Sequence, residues 1–199
     1  MGTSVEEIKD LREKTGCGMM DCKQALKEAD GDAVKAGDLL RKKGLASAAR
    51  RAGRTAAQGL VDSYLHVGGK IGVLVEINCE SDFVARNNEF QAFVKNIAMQ
   101  IAASNPQYIT REEVPEAVLQ REKDILQTQA KEEGKPAAAM AKIIEGRLNK
   151  FYSEICLLEQ PFIKDPKLIV RDLLADMVAK IGENIVIRRF NRYQLGENS

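Results

Sequence analysis

The sequence predicts an α+β protein in which a small three-helix domain precedes a helical core domain with a small three-stranded antiparallel sheet. Short helical segments separated by glycines fill the first 54 residues. Strand-like alternation of polarity begins near residue 59 and returns near residue 185, with long amphipathic helices between. The predicted domains are residues 1–54, which include a basic connector, and residues 55–199, with a helical insert at about 107–153.

The first helix is marked at both ends. Ser4 and Glu7 have the S-x-x-E spacing of a capping box, in which each side chain bonds the backbone N–H of the other residue. Gly16 and Gly18 interrupt the helical pattern soon afterwards. We expect the helix to lie between these signals.

Two more helices complete the small domain. The second is expected from about Met19 to Ala29, with Gly31 as its C-terminal stop, because glycine readily adopts the left-handed conformation found there. Asp32 can cap the third helix, which is predicted to end near Gly44. Three short helices make a core of marginal size.

A basic segment follows at residues 41–54, where six basic residues and no acidic one are interleaved with mostly small residues. This composition is typical of a helical or flexible connector. The alternative is an RNA-binding module that uses Arg41–Arg54 together with Arg188–Arg192. The run lacks aromatic residues on which bases stack, so the connector is favoured.

Three segments read as strands. Gly59–His66 alternates apolar and polar residues, Gly68–Gly69 is a two-residue hairpin signal, and Lys70–Ile77 is rich in β-branched residues. Ile185–Leu195 is the third strand candidate, and we expect it to join the hairpin because an isolated hairpin is marginally stable.

The intervening sequence predicts helices. The rhythm of apolar residues over Phe90–Ile101 is that of a buried helix face. Further helices are predicted at about Glu116–Glu132, after a proline, and at Ala137–Phe151. Asp165–Pro166 can cap a last amphipathic helix that ends at Gly182.

The composition narrows the function classes. Thirty basic against 29 acidic residues leave a formal net charge of +1, which argues against a general polyanion binder. No apolar stretch approaches the roughly 20 residues of a membrane helix. The four cysteines fit neither a zinc pair nor a dense disulfide framework, so reduced thiols are expected. The N-terminal sequence lacks secretory and transit features, which predicts a cytoplasmic protein.

The sequence contains no recognisable motif for catalysis or metal binding. The one histidine, His66, lies in a predicted strand, and nothing else points to it as a catalytic base. The sequence contains no P-loop, no H-E-x-x-H motif and no cluster of three metal ligands at useful spacing. We therefore expect no enzymatic activity, no resident metal and no cofactor.

Met19 and Met20 are adjacent at the predicted start of a helix. Adjacent helical side chains point about 100° apart, so both cannot easily enter one small core. We expect one to face solvent, where methionine is either incidental or part of an adaptable protein-binding surface.

Phe83 lies seven residues before Phe90, and its spacing leaves two alternatives. If the helix has begun by residue 81, Phe83 shares the buried helix face. If residues 81–86 form a projecting turn, Phe83 is an exposed aromatic side chain beside a carboxylate. Residue spacing alone favours the core.

Four segments match known signatures in order along nearly the whole chain: Leu11–Lys23, Val75–Ala85, Gly146–Phe151 running into Leu157–Phe162, and Lys180–Ile185. Together they resemble the signatures of the translation elongation factor Ts family. Four long motifs in one order are far more specific than any single short pattern.

The resemblance implies a guanine-nucleotide exchange factor that binds the GTPase elongation factor Tu in its GDP-bound and nucleotide-free forms. In this family the N-terminal unit is ubiquitin-associated-like and contacts the GTPase domain, and Leu11, Met19 and Met20 match its contact patch. A second motif is implicated in dislodging the partner's Mg²⁺ and loosening GDP. The matching residues are Ser81, Asp82, Phe83 and Val84, with serine in place of the usual threonine.

Long members of the family have a duplicated core and an inserted coiled coil, whereas a chain of 199 residues has room for one core unit. The resemblance therefore implies a core of the dimerisation type, and a homodimer formed through the sheet is a further hypothesis. No cysteine lies near the final strand to link such a dimer by a disulfide. Neither a membrane nor a direct nucleic-acid partner is expected.

Overall fold

A computed structural model describes residues 4–134 and 136–197 of the chain. The outer ends of the two predicted domains, residues 1–3 and 198–199, lie outside the described residues. In chain order the elements are α1 (Val5–Thr15), α2 (Met19–Glu28), α3 (Ala33–Arg51), β1 (Gln58–Leu65), β2 (Ile71–Cys79), α4 (Asp82–Ala85), α5 (Asn88–Ser104), α6 (Glu116–Glu132), α7 (Ala137–Ile155), β3 (Pro161–Phe162), β4 (Asp165–Ile169), α8 (Val170–Ile181) and β5 (Val186–Gln194). The protein is α+β, as the sequence predicts.

The first three helices share a small core. The predicted capping box is confirmed, because the Ser4 side chain accepts from the Glu7 N–H while the Glu7 carboxylate accepts from the Ser4 N–H. Gly16 ends α1 at a left-handed φ of 67°. One buried cluster joins the three helices, formed by Ile8, Leu11, Cys22, Ala25, Leu26, Ala29, Ala36 and Leu40.

The third helix is predicted to end near Gly44, but it continues to Arg51. A Cβ at Gly44 would lie 3.5 Å from Asp176 Oδ1 and 3.6 Å from Ala179 Cβ, both on α8. Gly44 therefore lies inside α3 and faces α8 at ordinary contact distance. The basic segment belongs to this helix for most of its length, which makes the connector helical.

The predicted three-stranded sheet is confirmed, with the order β1–β2–β5. The hairpin loop differs from the two-residue prediction. His66 N–H donates to Ile71 O at 2.9 Å, which leaves a loop of residues 67–70. Gly68 and Gly69 supply its positive φ angles of 89° and 69°, so the glycines mark the turn, although the loop also takes one residue on each side.

The long helices follow the sequence closely. The predicted buried face of α5 is confirmed at Phe90, Phe93, Val94, Ile97, Ala98 and Ile101, none of which is more than 1% exposed. Helix α6 has the predicted bounds and follows Pro115, whereas α7 runs four residues beyond the predicted end at Phe151.

Residues Asp165–Pro166 do not cap the last helix. They open β4, which pairs antiparallel with β3, and α8 begins only at Val170. Proline is tolerated at the start of a strand because the ladder does not need its missing N–H there. Gly182 ends α8 at a φ of 83°, as predicted.

The described chain divides into two compact units. Of the described residues, the first unit comprises 4–62, 75–95 and 172–188, and the second comprises 63–74, 96–134, 136–171 and 189–197. The predicted domain bound at residues 54 and 55 stays a prediction. Among the described residues, no helix is both long and apolar enough to cross a membrane.

Candidate functional site

Phe83 lies on a short projecting turn of the first unit, and its side chain is 81% exposed. The prediction that places it in the core is wrong for a local reason. Helix α4 ends at Ala85 and α5 begins only at Asn88, so the chain does not keep one helical phase from Phe83 to Phe90. The alternative of an exposed aromatic residue on a projecting turn describes the structure.

Ser81 caps the turn at its N-terminal end. The Ser81 hydroxyl accepts from the Val84 N–H at 3.4 Å and donates to Glu183 Oε1 at 2.6 Å. The other carboxylate oxygen, Glu183 Oε2, accepts from the backbone N–H groups of Glu80 and Ser81, both at 3.0 Å. One glutamate between α8 and β5 thus holds both the backbone and the cap of the turn.

Glu80 in turn binds the segment that contains Glu183. The Glu80 carboxylate accepts from the Asn184 backbone N–H at 2.6 Å and lies 3.6 Å from the Arg54 guanidinium. The buried Asn184 side chain donates to Arg54 O at 2.8 Å, and Arg51 Nε donates to Gly182 O at 3.0 Å. These bonds connect the end of α3 to the segment that holds the turn.

The remaining motif residues divide between solvent and core. Asp82 pairs with Arg86 at 2.9 Å across one helical turn; the Arg86 side chain is largely exposed and the Asp82 side chain is half-exposed. Val84 is half-buried, and the adjacent Ala85 is buried. The turn therefore presents Phe83 and Asp82 outward.

Cys79 is buried directly beneath the turn and donates from Sγ to Ser81 O at 3.1 Å. Burial, reinforced by the nearby Glu183 carboxylate, raises the pKa of this thiol to about 11. Such a thiol is protonated at neutral pH and acts as a packing group.

Both methionines of the N-terminal motif are exposed, Met20 at 75% and Met19 at 37%, so the expectation that one faces solvent is met by Met20, and Met19 does not enter the core either. Helix α2 begins after Gly18, and its inward face is filled by Cys22, Ala25 and Leu26 instead. Leu11 is only 3% exposed and belongs to the three-helix core, so its side chain offers almost no surface.

Lys180 at the end of α8 lies against the loop that precedes α2. A Cβ at Gly16 would be 3.1 Å from Lys180 Nζ, and the same ammonium group pairs with Glu89 at 2.8 Å. The loop between α1 and α2 and the Phe83 turn thus both contact the segment Lys180–Ile185. The sequence marks this segment as a motif but assigns no role to Lys180, Glu183 or Asn184. The signal that could have found these polar residues is their position, Lys180 in the last turn of the amphipathic helix and Glu183 and Asn184 just after it.

The basic residues of α3 and its end are largely engaged within the first unit. Arg41 forms an ion pair with Asp172, Lys43 lies 3.2 Å from Glu28, and Arg54 approaches Glu80. The ion pair with Asp172 raises the pKa of Arg41 further. These contacts weigh against a surface dedicated to a polyanion.

Within residues 4–134 and 136–197, no group of three or more His, Cys, Asp or Glu side chains could hold a metal ion. His66 is exposed, and its Nδ1 lies 3.1 Å from the Tyr64 hydroxyl. All four cysteines are free thiols.

The comparisons with known proteins agree in one family. The family model of Elongation factor TS matches residues 47–177. Elongation factor Ts of Caldanaerobacter subterraneus subsp. tengcongensis is 63% identical over 98% of this chain and 97% of the relative. That of Carboxydothermus hydrogenoformans is 61% identical over 96% and 88%, and that of Geobacter sulfurreducens is 58% identical over 99% and 91%. The chain therefore belongs to the elongation factor Ts family, and its role lies in translation elongation.

Proposed function

We propose that this chain is a guanine-nucleotide exchange factor for elongation factor Tu, which binds the GDP form, displaces Mg²⁺ and promotes GDP release. The observation that carries the proposal is the exposure of Phe83 on a turn fixed by three hydrogen bonds to Glu183. A large apolar side chain held in solvent on an ordered turn is suited to insertion into a partner.

Exchange of this kind follows from linkage between two binding events. A factor that binds the nucleotide-free partner more tightly than the GDP-bound partner weakens GDP binding by the same ratio. A ratio of about 10⁴ requires roughly 5.5 kcal/mol of differential affinity. Burial of one aromatic side chain such as Phe83 supplies about 1.5–3 kcal/mol, so a second contact area has to contribute the rest.

The exposed Met19 and Met20 are the proposed second contact area. Methionine side chains adapt to irregular surfaces, which suits them to bind the GTPase domain. Leu11 acts here by supporting α1 from the core of the three-helix unit. We propose in addition that this unit is ubiquitin-associated-like, as the family resemblance implies.

The proposed mechanism needs no catalytic acid or base, no cofactor and no metal held by this chain. The magnesium ion that is displaced belongs to the partner. Asp82 stands beside Phe83 and presents a carboxylate, so it is placed to act on a cation site or on the loop that closes it. Ser81 keeps the hydroxyl of the usual threonine and uses it toward Glu183.

The test is release of labelled GDP from purified elongation factor Tu, with and without this chain. We expect strong acceleration by the wild type. The variant Phe83→Ala is expected to be at least about tenfold slower, because it loses the apolar area buried in the nucleotide-free complex. Phe83 is solvent-exposed in the free chain, so thermal unfolding should be unchanged.

Tyr193→Ala is the matched control, since Tyr193 is also an exposed aromatic residue but lies on β5 outside the motif. It is expected to accelerate release like the wild type. A wild-type chain that leaves GDP release unchanged would refute the proposed function. Full activity of Phe83→Ala would remove Phe83 from it.

A further inference from the structure

The Phe83 turn has little stability of its own. Helix α4 comprises four residues, and so short a helix is not stable without outside support. The exposed Phe83 side chain adds no packing that would hold it. The direction in which Phe83 points is therefore decided by whatever fixes residues 80 and 81.

Glu183 provides that support. Its two carboxylate oxygens accept three hydrogen bonds, from the N–H groups of Glu80 and Ser81 at 3.0 Å and from the Ser81 hydroxyl at 2.6 Å. Hydrogen bonds to an ionised acceptor are shorter and about twice as strong as neutral ones. One side chain therefore fixes both the backbone that enters the turn and the hydroxyl that caps it.

Glu183 is itself held from both sides. Gly182 O accepts from Arg51 Nε at 3.0 Å, and the N–H of Asn184 donates to the Glu80 carboxylate at 2.6 Å. The buried Asn184 side chain donates to Arg54 O at 2.8 Å. The support is therefore anchored to α3 and does not depend on one flexible side chain.

We propose that Glu183 is a positioning residue for nucleotide exchange, which acts on the partner only through the orientation of the turn, with Phe83 as the main side chain that the turn presents. This proposal rests on the proposed function. Displacement of a reacting or inserting group by about 1 Å can cost on the order of 100-fold in rate, so loss of the support is expected to slow exchange without removing a contact to the partner.

The first test compares Glu183→Ala with Glu183→Gln. The alanine variant should lower GDP release at saturating factor about tenfold, while the factor concentration that gives half the maximal rate stays within about twofold, because the methionine surface is intact. The glutamine variant should retain about half of the activity or more. Its oxygen can accept from both N–H groups, and its amide can donate to the Ser81 hydroxyl.

Glu113→Ala is the matched control. Glu113 accepts from the Ile109 N–H at 2.9 Å, so this variant also removes a carboxylate that bonds the backbone, but in the other unit. It should leave both exchange parameters unchanged. Equal losses in Glu183→Ala and Glu113→Ala would show that the effect is general destabilisation and would overturn the proposal.

The second test asks whether Glu183 acts through Phe83. In a Phe83→Ala background, Glu183→Ala should cause a much smaller further loss than in the wild type, since the main residue to be positioned is gone and only Asp82 remains on the turn. If the double variant instead loses exchange activity by the product of the losses of the two single variants, the two residues act independently and the proposal is overturned. If Glu183→Ala does not fold, Ser81→Ala replaces it in this cycle, because it leaves the two backbone bonds to Glu183 and removes both the 2.6 Å bond and the cap on the Val84 N–H.

The third test does not involve the partner. Amide hydrogen exchange at Glu80 and Ser81 should become at least about tenfold faster in Glu183→Ala and stay unchanged in Glu113→Ala. Unchanged exchange at both amides would refute the support itself. A wild type without effect on GDP release would refute the proposed function and this role together, whereas an active wild type beside a folded, fully active Glu183→Ala variant would refute the role of Glu183 alone.

Discussion

At the scale of single residues, Cys79 packs beneath the Phe83 turn and bonds its backbone. Its thiol is fully buried, donates to Ser81 O, and lies near the Glu183 carboxylate. Both burial and the neighbouring negative charge disfavour the thiolate. Ionisation of this one group would place a second anion beneath the residues that present Phe83.

This has a measurable consequence for stability at alkaline pH. The pKa of Cys79 is raised from 9.0 to about 11 on folding, so the folded state retains its proton where the unfolded state loses it. The stabilisation is complete below pH 9 and is lost as the pH rises toward 11. For a pKa shift of about two units, the free energy of unfolding decreases by about 2–3 kcal/mol over this range.

We expect urea unfolding of the wild type to show this decrease and Cys79→Ala to show a flatter profile over the same range. Other groups titrate there as well, so the difference between the two profiles is the measured quantity. Parallel profiles would contradict the assignment of the shift to Cys79. Cys17→Ala serves as the comparison, since burial also raises the pKa of the Cys17 thiol but this thiol is only partly buried, so a smaller flattening is expected.

Phe83 and Glu183 mark the limit of what the sequence predicts at this scale. The apolar spacing from Phe83 to Phe90 is that of a helix face, yet the chain breaks between α4 and α5, and no glycine or proline signals the break. Glu183 acts on residues about 100 positions earlier in the chain. A contact of that range leaves no periodic trace in the sequence.

At the scale of elements, two glycines have opposite roles. Gly44 lies in α3, and a methyl group placed on its Cα would meet its neighbours at ordinary contact distances, the nearest being 3.5 Å. Gly59 has a φ of 138°, and a Cβ there would lie 2.2 Å from Ile77 O on the neighbouring strand. Only the second glycine is required by its surroundings.

We therefore expect Gly44→Ala to stabilise the protein by about 0.5–1 kcal/mol, because alanine favours the helix and restricts the unfolded chain. Gly59→Ala is expected to destabilise it by at least about 1–3 kcal/mol from the backbone conformation alone, with the clash in addition. Urea unfolding of both variants measures the two effects. A destabilised Gly44→Ala would mean that α3 and α8 pack too tightly for one methyl group.

The elements that the sequence predicts best have local signals at both ends. Helix α6 follows Pro115 and stops before Gly134, and its bounds are those predicted. The sequence predicts α3 too short because a glycine inside a helix cannot be told by sequence from a glycine that ends one. The β3–β4 pair escapes prediction because a two-residue strand carries no alternation of polarity.

At the scale of the whole molecule, charge separates the proposed function from its alternative. The formal net charge is +1, and Arg41, Lys43 and Arg54 are paired with carboxylates. The affinity of a protein for nucleic acid depends largely on cations that are free to replace counterions on phosphates. The RNA-binding alternative therefore has little support from the surface.

We expect binding to unstructured single-stranded RNA to be weaker than about 100 μM at physiological salt, the weak end of non-specific binding. Fluorescence anisotropy with a labelled oligonucleotide measures it. Binding at micromolar concentration with a steep salt dependence would support the RNA-binding alternative.

Sedimentation velocity on the same sample would test the homodimer, which stays a prediction.

The unbroken course of α3 has a kinetic consequence. Because the helix runs from the three-helix core to the bonds around Asn184, Met20 and Phe83 belong to one compact unit and do not sit on either side of a loose tether. Under the proposed function, once one of them has contacted elongation factor Tu, the other is at an effective concentration of about millimolar or above, with no search through linker conformations. Binding would then be bivalent with a rigid connection between the two contact areas, and dissociation would require both contacts to break before either re-forms.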